Sequence, residues 1–194
     1  METFRLYFQL GTQHILDIRG YDHILFVIAL TTIYQVKDWG KVLVLVTAFT
    51  IGHSITLALA TIRVINVNAQ LIEFLIPVTI FVTAMSNMLR NRPEQNTKRI
   101  QMNYWLALFF GLVHGLGFSN YLKSLLGKDT SILTQLLAFN VGLEMGQIVI
   151  VLIFLVCTFL FIDLIGVSRR DWRLIISSGI AAIATTLIIE NKFW

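Results

Sequence analysis

The sequence predicts an all-α fold, a polytopic membrane bundle of about six transmembrane helices forming a single domain over residues 1–194. Of its 194 residues, 56% are hydrophobic and only 13% are charged, and the mean hydropathy is +0.75. A soluble globular domain usually has about 25% charged residues. Apolar runs of roughly 20 residues, long enough to cross a bilayer, recur along most of the chain. Little chain remains between them, so we expect no separate soluble domain.

The apolar runs predict six spans, at residues 20–36, 42–62, 71–89, 104–125, 132–162 and 174–189. The first is short, and the amphipathic stretch 8–18 can extend it as an N-terminal amphipathic or re-entrant helix, with a break or kink at Gly20. Pro77 should kink the third span because it cannot donate a backbone hydrogen bond. The fifth span is long, so it must tilt, kink at Gly142 or Gly146, or project from the membrane. Small residues in the fourth span are expected to allow close helix packing, namely Gly111, Gly115 and Gly117.

Loop cations predict the orientation, because cytoplasmic loops carry an excess of Lys and Arg. Nine lie on one side, Lys37, Lys41, Arg90, Arg92, Lys98, Arg99, Arg169, Arg170 and Arg173. Six lie on the other, Arg5, Arg19, Arg63, Lys123, Lys128 and Lys192. This bias predicts a multi-pass protein of the cell membrane with both termini on the exterior side. Trp39, Trp105 and Trp172 then fall at the inner interface, as an aromatic belt would.

Composition also argues against several other roles. The single cysteine, Cys157, lies in an apolar stretch, so we expect neither an internal disulfide nor a reactive thiol. The net charge of +4 reflects the loop cations, and nucleic acid is not an expected partner. Residues 1–10 mix charges with aromatic residues and lack a small-residue cleavage site, so no cleavable signal peptide is expected.

Ionisable residues inside the predicted spans point to a function. An ionisable group in the hydrocarbon costs about 2.5–3.5 kcal/mol on insertion scales. All four histidines nevertheless lie at or within spans, together with two carboxylates and the polar residues Ser54, Asn87, Asn140 and Gln147. At a rise of about 1.5 Å per residue, most of these groups share one layer in the outer half of the membrane. They are His14, Asp22, His23, His53, Ser54, His114, Asn140 and Glu144.

Imidazoles combined with carboxylates are the ligand set of a borderline divalent ion such as nickel, cobalt or zinc. The predicted metal-site residues are His14, Asp22, His23, His53, His114 and Glu144, with Ser54 and Asn140 supporting them. Glu144 can be a ligand, a residue that orients a histidine, or a proton acceptor. A simpler explanation remains open for each residue. A lone histidine commonly bonds a neighbouring helix, and Ser54 can bond its own helix.

Four segments of the chain resemble the HupE/UreJ family, small membrane proteins associated with hydrogenase and urease maturation. The segments are HILDIRGYDHILF (14–26), HSITL (53–57), FGLVHGLGF (110–118) and FNVGLE (139–144). They occupy four of the six predicted spans in the order of the family. The resemblance implies a nickel or cobalt permease in which His14, Asp22, His23, His53, His114 and Glu144 handle the metal.

Three functions follow from these residues. The first is metal transport or metal handling as an accessory protein, with Thr83, Ser86 and Asn87 lining the inner part of a path. The second is an intramembrane zinc-dependent hydrolase of a lipid or membrane peptide, with Glu144 as its general base. In the third, the polar cluster fixes helix packing or loads metal onto a partner. Expected partners are a metal ion and the bilayer, and a homo-oligomer or an accessory protein is left open.

Overall fold

A computed structural model describes residues 2–90, 97–126 and 132–194, and these residues form helices and connecting turns with no strand. A short 3-10 turn, Val36–Asp38, precedes the third helix, and a π turn, Leu160–Leu164, follows the sixth. The described α-helices are α1 Glu2–Leu16, α2 Asp22–Thr31, α3 Trp39–Thr61, α4 Ala69–Met88, α5 Thr97–Leu126, α6 Ile132–Phe159 and α7 Arg169–Glu190. The predicted all-α membrane bundle is confirmed.

Four described segments are long and apolar enough to cross a membrane. They are Val36–Thr61, Ala69–Met88, Leu133–Leu164 and Arg169–Glu190. They agree to within a few residues with the second, third, fifth and sixth predicted spans. The count of six spans is not confirmed. The first predicted span contains only α2, whose 10 residues reach about 15 Å, roughly half of a hydrocarbon core. Helix α5 covers the fourth predicted span but is not among the four.

The N-terminal stretch belongs to the bundle. Helix α1 buries Tyr7, Gly11 and Ile15 and packs along α6. A Cβ atom at Gly142 would collide with the carbonyl of Phe8, and one at Gly146 would collide with the side chain of Ile15. The two helices therefore run in the same direction in close contact. Residues 17–21, which include Gly20, then interrupt the helix as predicted before α2 begins.

Helices α3 and α5 form a second close, parallel pair. A Cβ atom at Gly52 would collide with the carbonyl of Leu108, and one at Gly111 with the carbonyl of Phe49. Gly115 meets the carbonyl of His53 in the same way. Small residues let helix backbones approach closely where no water drives association. The predicted packing role of Gly111 and Gly115 is confirmed, and Gly117 lies against Ile72 and Ile76 of α4.

Gly142 and Gly146, predicted as alternative kink sites, lie in the contact with α1, and α6 is helical through both of them to Phe159. Pro77 lies inside α4, which is helical from Ala69 to Met88. Helix α4 packs against α7, α5 and α2. Arg92 and Lys128, two of the cations used to predict orientation, lie outside the described residues, and the orientation stays a prediction.

Candidate metal centre

The break between α1 and α2 brings two histidines together inside the bundle. His14 lies in the last turn of α1 and His23 in the first turn of α2, and their ring centroids are 4.5 Å apart. Interrupted helices recur at the substrate sites of membrane transporters, because the break places polar groups at mid-bundle. The five-residue interruption thus creates one half of the candidate site.

The close pair formed by α3 and α5 supplies the other half. The ring of His53 on α3 lies 6.1 Å from that of His14 and 6.3 Å from that of His23. On α5, the ring of His114 lies 5.4 Å from that of His23. We call His14, His23, His53 and His114 the histidine cluster. Four different helices contribute one imidazole each, so the cluster forms only in the folded bundle.

Aromatic rings surround the cluster, and three of its four histidines are buried. His53 is 0% exposed, His114 is 1% exposed and His23 is 6% exposed, whereas His14 is half-buried. The rings of Phe26 and Phe49 lie 4.9 and 5.2 Å from that of His114. The rings of Phe118 and Phe139 lie 3.9 and 5.8 Å from that of His14. The imidazole nitrogens consequently sit in surroundings that offer few hydrogen-bond partners.

Hydrogen bonding leaves most of these nitrogens unpaired. His23 Nδ1 donates to Asp22 Oδ1 at 3.0 Å, and Thr79 Oγ1 lies 3.1 Å from His114 Nε2. Five buried imidazole nitrogens have no partner, namely His14 Nε2, His23 Nε2, His53 Nδ1, His53 Nε2 and His114 Nδ1. Each unsatisfied buried polar group costs about 1–3 kcal/mol. Native proteins contain few of them, so five in one cluster call for an explanation such as an ion.

The spacing of the rings fits a shared ion after a rearrangement of the side chains. Two imidazoles on a tetrahedral ion with metal–nitrogen distances of about 2.0–2.1 Å have ring centroids about 5 Å apart. The separations of 4.5 and 5.4 Å from His23 lie on either side of that value. Among the described residues, however, no group of three or more His, Cys, Asp or Glu side chains has a preformed metal-holding arrangement. Binding would therefore require ring rotations, which the broad χ2 preference of histidine allows.

Asp22 is placed to orient a histidine. Its Oδ1 accepts from both the backbone N–H and the Nδ1 of His23, each at 3.0 Å. A carboxylate bonded to one ring nitrogen fixes the ring and leaves the other nitrogen for a metal. Asp22 thus acts on the cluster through His23 in this arrangement.

Glu144 lies outside the hydrogen bonding of the cluster. Its Oε1 accepts from Thr47 Oγ1 at 2.6 Å, and it is bonded to none of the four histidines, all of which the structure describes. Thr47 precedes His53 by six residues on α3, about 9 Å along the helix. The metal-site role of Glu144 stays a prediction.

The two predicted supporting residues have different environments. Ser54 donates to the carbonyl of Thr50 at 2.6 Å, a bond within its own helix. Asn140 directly follows Phe139 and has a buried Oδ1 without a partner. A residue that the sequence did not single out, Thr79, lies within hydrogen-bond distance of His114 Nε2. Nothing in the sequence around Thr79 distinguishes it from the other threonines of the spans.

The polar residues predicted to line an inner path surround a cavity beyond the cluster. Thr83, Ser86 and Asn87 line a cavity of about 110 Å³, with Phe110 also in its wall. The ring of Phe26 lies 5.8 Å from that of Phe110 and 4.9 Å from that of His114. Phenylalanine rings thus separate the histidine cluster from this cavity.

Apolar helices of membrane length around four histidines, three of them buried, define a polytopic membrane protein with an ionisable interior. The family model described as HupE / UreJ protein matches residues 1–191. The chain therefore belongs to the HupE/UreJ family, which confirms over nearly its whole length the resemblance seen in four segments. No curated protein and no solved structure matches the chain significantly.

Proposed function

We propose that this protein handles a divalent transition metal ion inside the membrane, with nickel or cobalt as its substrate, as a permease or a metal-handling accessory protein. The observation that carries the proposal is the set of five buried, unpartnered imidazole nitrogens contributed by four helices. Imidazole is a good ligand for nickel, cobalt and zinc. The carboxylate of Asp22 offsets part of the charge that such an ion brings into the bundle.

Membership of the HupE/UreJ family and the cavity beyond the cluster, which Thr83, Ser86 and Asn87 help to line, favour metal movement over catalysis. A zinc hydrolase also needs a base within reach of a metal-bound water. The predicted base, Glu144, accepts a hydrogen bond from Thr47 and has no bond to a histidine. We therefore rank hydrolysis of a lipid or membrane peptide second.

Elemental analysis of the purified protein tests the site. Protein prepared without chelator and equilibrated with Ni²⁺ or Co²⁺ should bind close to one ion per chain. His53→Ala and His114→Ala should each lose most of it, because both side chains are buried in the cluster. Ser177→Ala is the matched control, since Ser177 is equally buried but lies on α7. Unchanged metal content in both histidine variants would contradict the proposal.

The same preparations distinguish a permease, an accessory protein and a hydrolase. Exchangeable Ni²⁺ or Co²⁺, together with uptake of that ion into protein-containing vesicles, would support a permease. Binding without uptake would support an accessory role. Zinc that stays bound through purification and does not exchange would favour the hydrolase instead.

A further inference from the structure

Thr79 makes two short contacts with its hydroxyl group in the interior of the bundle. Its Oγ1 lies 2.7 Å from the carbonyl oxygen of Ile76 and 3.1 Å from Nε2 of His114. Thr79 is 7% exposed and His114 is 1% exposed, so water does not compete for either bond. The two contacts together determine where the protons lie.

A hydroxyl group carries one proton, and a carbonyl oxygen can only accept. The proton of Thr79 must therefore point to the carbonyl of Ile76. The oxygen of Thr79 can then only accept from His114, so Nε2 of His114 must carry its proton. A neutral imidazole has a single N–H group, which leaves a lone pair on Nδ1 of His114.

The surroundings of Nδ1 agree with this assignment. Nδ1 of His114 is buried and has no hydrogen-bond partner. In the opposite tautomer an N–H group would sit there without an acceptor, and orphaned buried N–H groups are rarer than unsatisfied acceptors. With the proton of His114 on Nδ1, Thr79 would also have to turn its own proton to Nε2 and give up its bond to Ile76.

We propose that Thr79 is a positioning residue, which holds His114 in the Nε2–H tautomer and so makes Nδ1 the nitrogen that meets the metal. The role of Nδ1 in metal binding rests on the proposed function, whereas the tautomer of His114 rests on the two contacts of Thr79 alone. His23 is held in the opposite tautomer, with its proton on Nδ1, because Asp22 accepts from Nδ1 and leaves Nε2 without a partner. The two histidines present different nitrogens, each fixed by an oxygen atom of a neighbouring side chain.

Nitrogen NMR of metal-free protein labelled with ¹⁵N-histidine tests the tautomer directly. The two nitrogens of His114, assigned by their loss in His114→Gln, should show a protonated Nε2 and an unprotonated Nδ1. Thr79→Ser should keep this pattern, and Thr79→Val, which has the same shape without the hydroxyl, should lose it. A protonated Nδ1 in the unaltered protein would overturn the inference. Because no metal is involved, that result would leave the proposed function standing.

Binding of Co²⁺ and Ni²⁺ tests the consequence. Loss of a side chain that orients a metal-binding histidine typically weakens binding 10- to 100-fold, roughly the loss expected for Thr79→Val. Thr79→Ser should restore binding. Thr158→Val is the control, since the buried hydroxyl of Thr158 donates to the carbonyl of Phe154 at 2.9 Å and accepts from Trp172 Nε1 at 3.2 Å, with no bond to a histidine. Equal affinities for Thr79→Val and Thr158→Val would overturn the positioning role. Absence of binding in the unaltered protein would instead overturn the proposed function, and the NMR result would still decide the tautomer.

Discussion

The imidazole ring of His23 meets that of His114 edge-on, with an angle of 79° between the ring planes and 5.4 Å between the centroids. His23 begins α2 just after the break in the N-terminal helix, whereas His114 lies on the close pair formed by α3 and α5. Each ring has one nitrogen in contact with a neighbouring oxygen and one without a partner. The candidate site therefore forms where the histidines on either side of the helix break meet those of the α3–α5 pair.

Removing the carboxylate of Asp22 should weaken metal binding. Asp22→Ala takes away the acceptor that fixes His23 Nδ1, and we expect affinity for Co²⁺ to fall about 10- to 100-fold in equilibrium binding. Asp22→Asn can still accept this bond through its amide oxygen, so its loss should be smaller. Asp17→Asn is the control, because Asp17 is exposed and accepts from the backbone of Arg19. Equal affinities for Asp22→Ala and Asp17→Asn would show that Asp22 does not act on the site.

Glu144→Gln should leave the metal content of the protein unchanged. The glutamine keeps an oxygen that can accept from Thr47, and the native carboxylate has no bond to the histidine cluster. Elemental analysis alongside His53→Ala provides the measurement and its positive control. A loss of metal as large as that of His53→Ala would show that Glu144 swings into the site and binds the ion.

Methyl groups added at the helix contacts should destabilise the bundle without touching the histidines. A Cβ atom in Gly52→Ala or Gly142→Ala would overlap a backbone carbonyl that cannot move aside. Overpacking of this kind costs about 1–3 kcal/mol or more in the free energy of unfolding. Gly179→Ala on α7 is the matched control, since a Cβ there meets no atom within 4 Å. Thermal denaturation in detergent should give lower midpoints for the first two variants, and equal midpoints for all three would contradict the close packing.

Local patterns in the sequence predicted the positions of the apolar helices well. Hydropathy is a property of consecutive residues, and the bounds of α3, α4 and α7 follow from it to within a few residues. The break at Gly20 was also predictable, because glycine and two charges interrupt the apolar run there. The role of α1 was not predictable, because its place in the bundle depends on Gly11 and Gly142, which are far apart in the sequence and lie together in the contact between α1 and α6.

Side-chain partners in the site were less predictable than its location. The histidines could be placed in one layer because their depth follows from residue counting. The rotation of each helix about its axis does not follow from residue counting. This rotation decides that Thr79 faces His114 while Glu144 faces Thr47. The contact of a hydroxyl group with an imidazole on another helix cannot be predicted from the composition or the residue spacing of a single sequence.

Cysteine labelling should settle the predicted orientation of the bundle. Asn66 lies in the exposed connection between α3 and α4, and Lys37 lies in the exposed 3-10 turn before α3. Helix α3 separates them, so the two positions should reach opposite sides of the membrane. In a Cys157→Ser background, a membrane-impermeant thiol reagent added to intact cells should label Asn66→Cys and spare Lys37→Cys. Both should react once the membrane is opened, which controls for accessibility. Labelling of Lys37→Cys alone in intact cells would invert the orientation, and with it the side from which the ion reaches the histidine cluster.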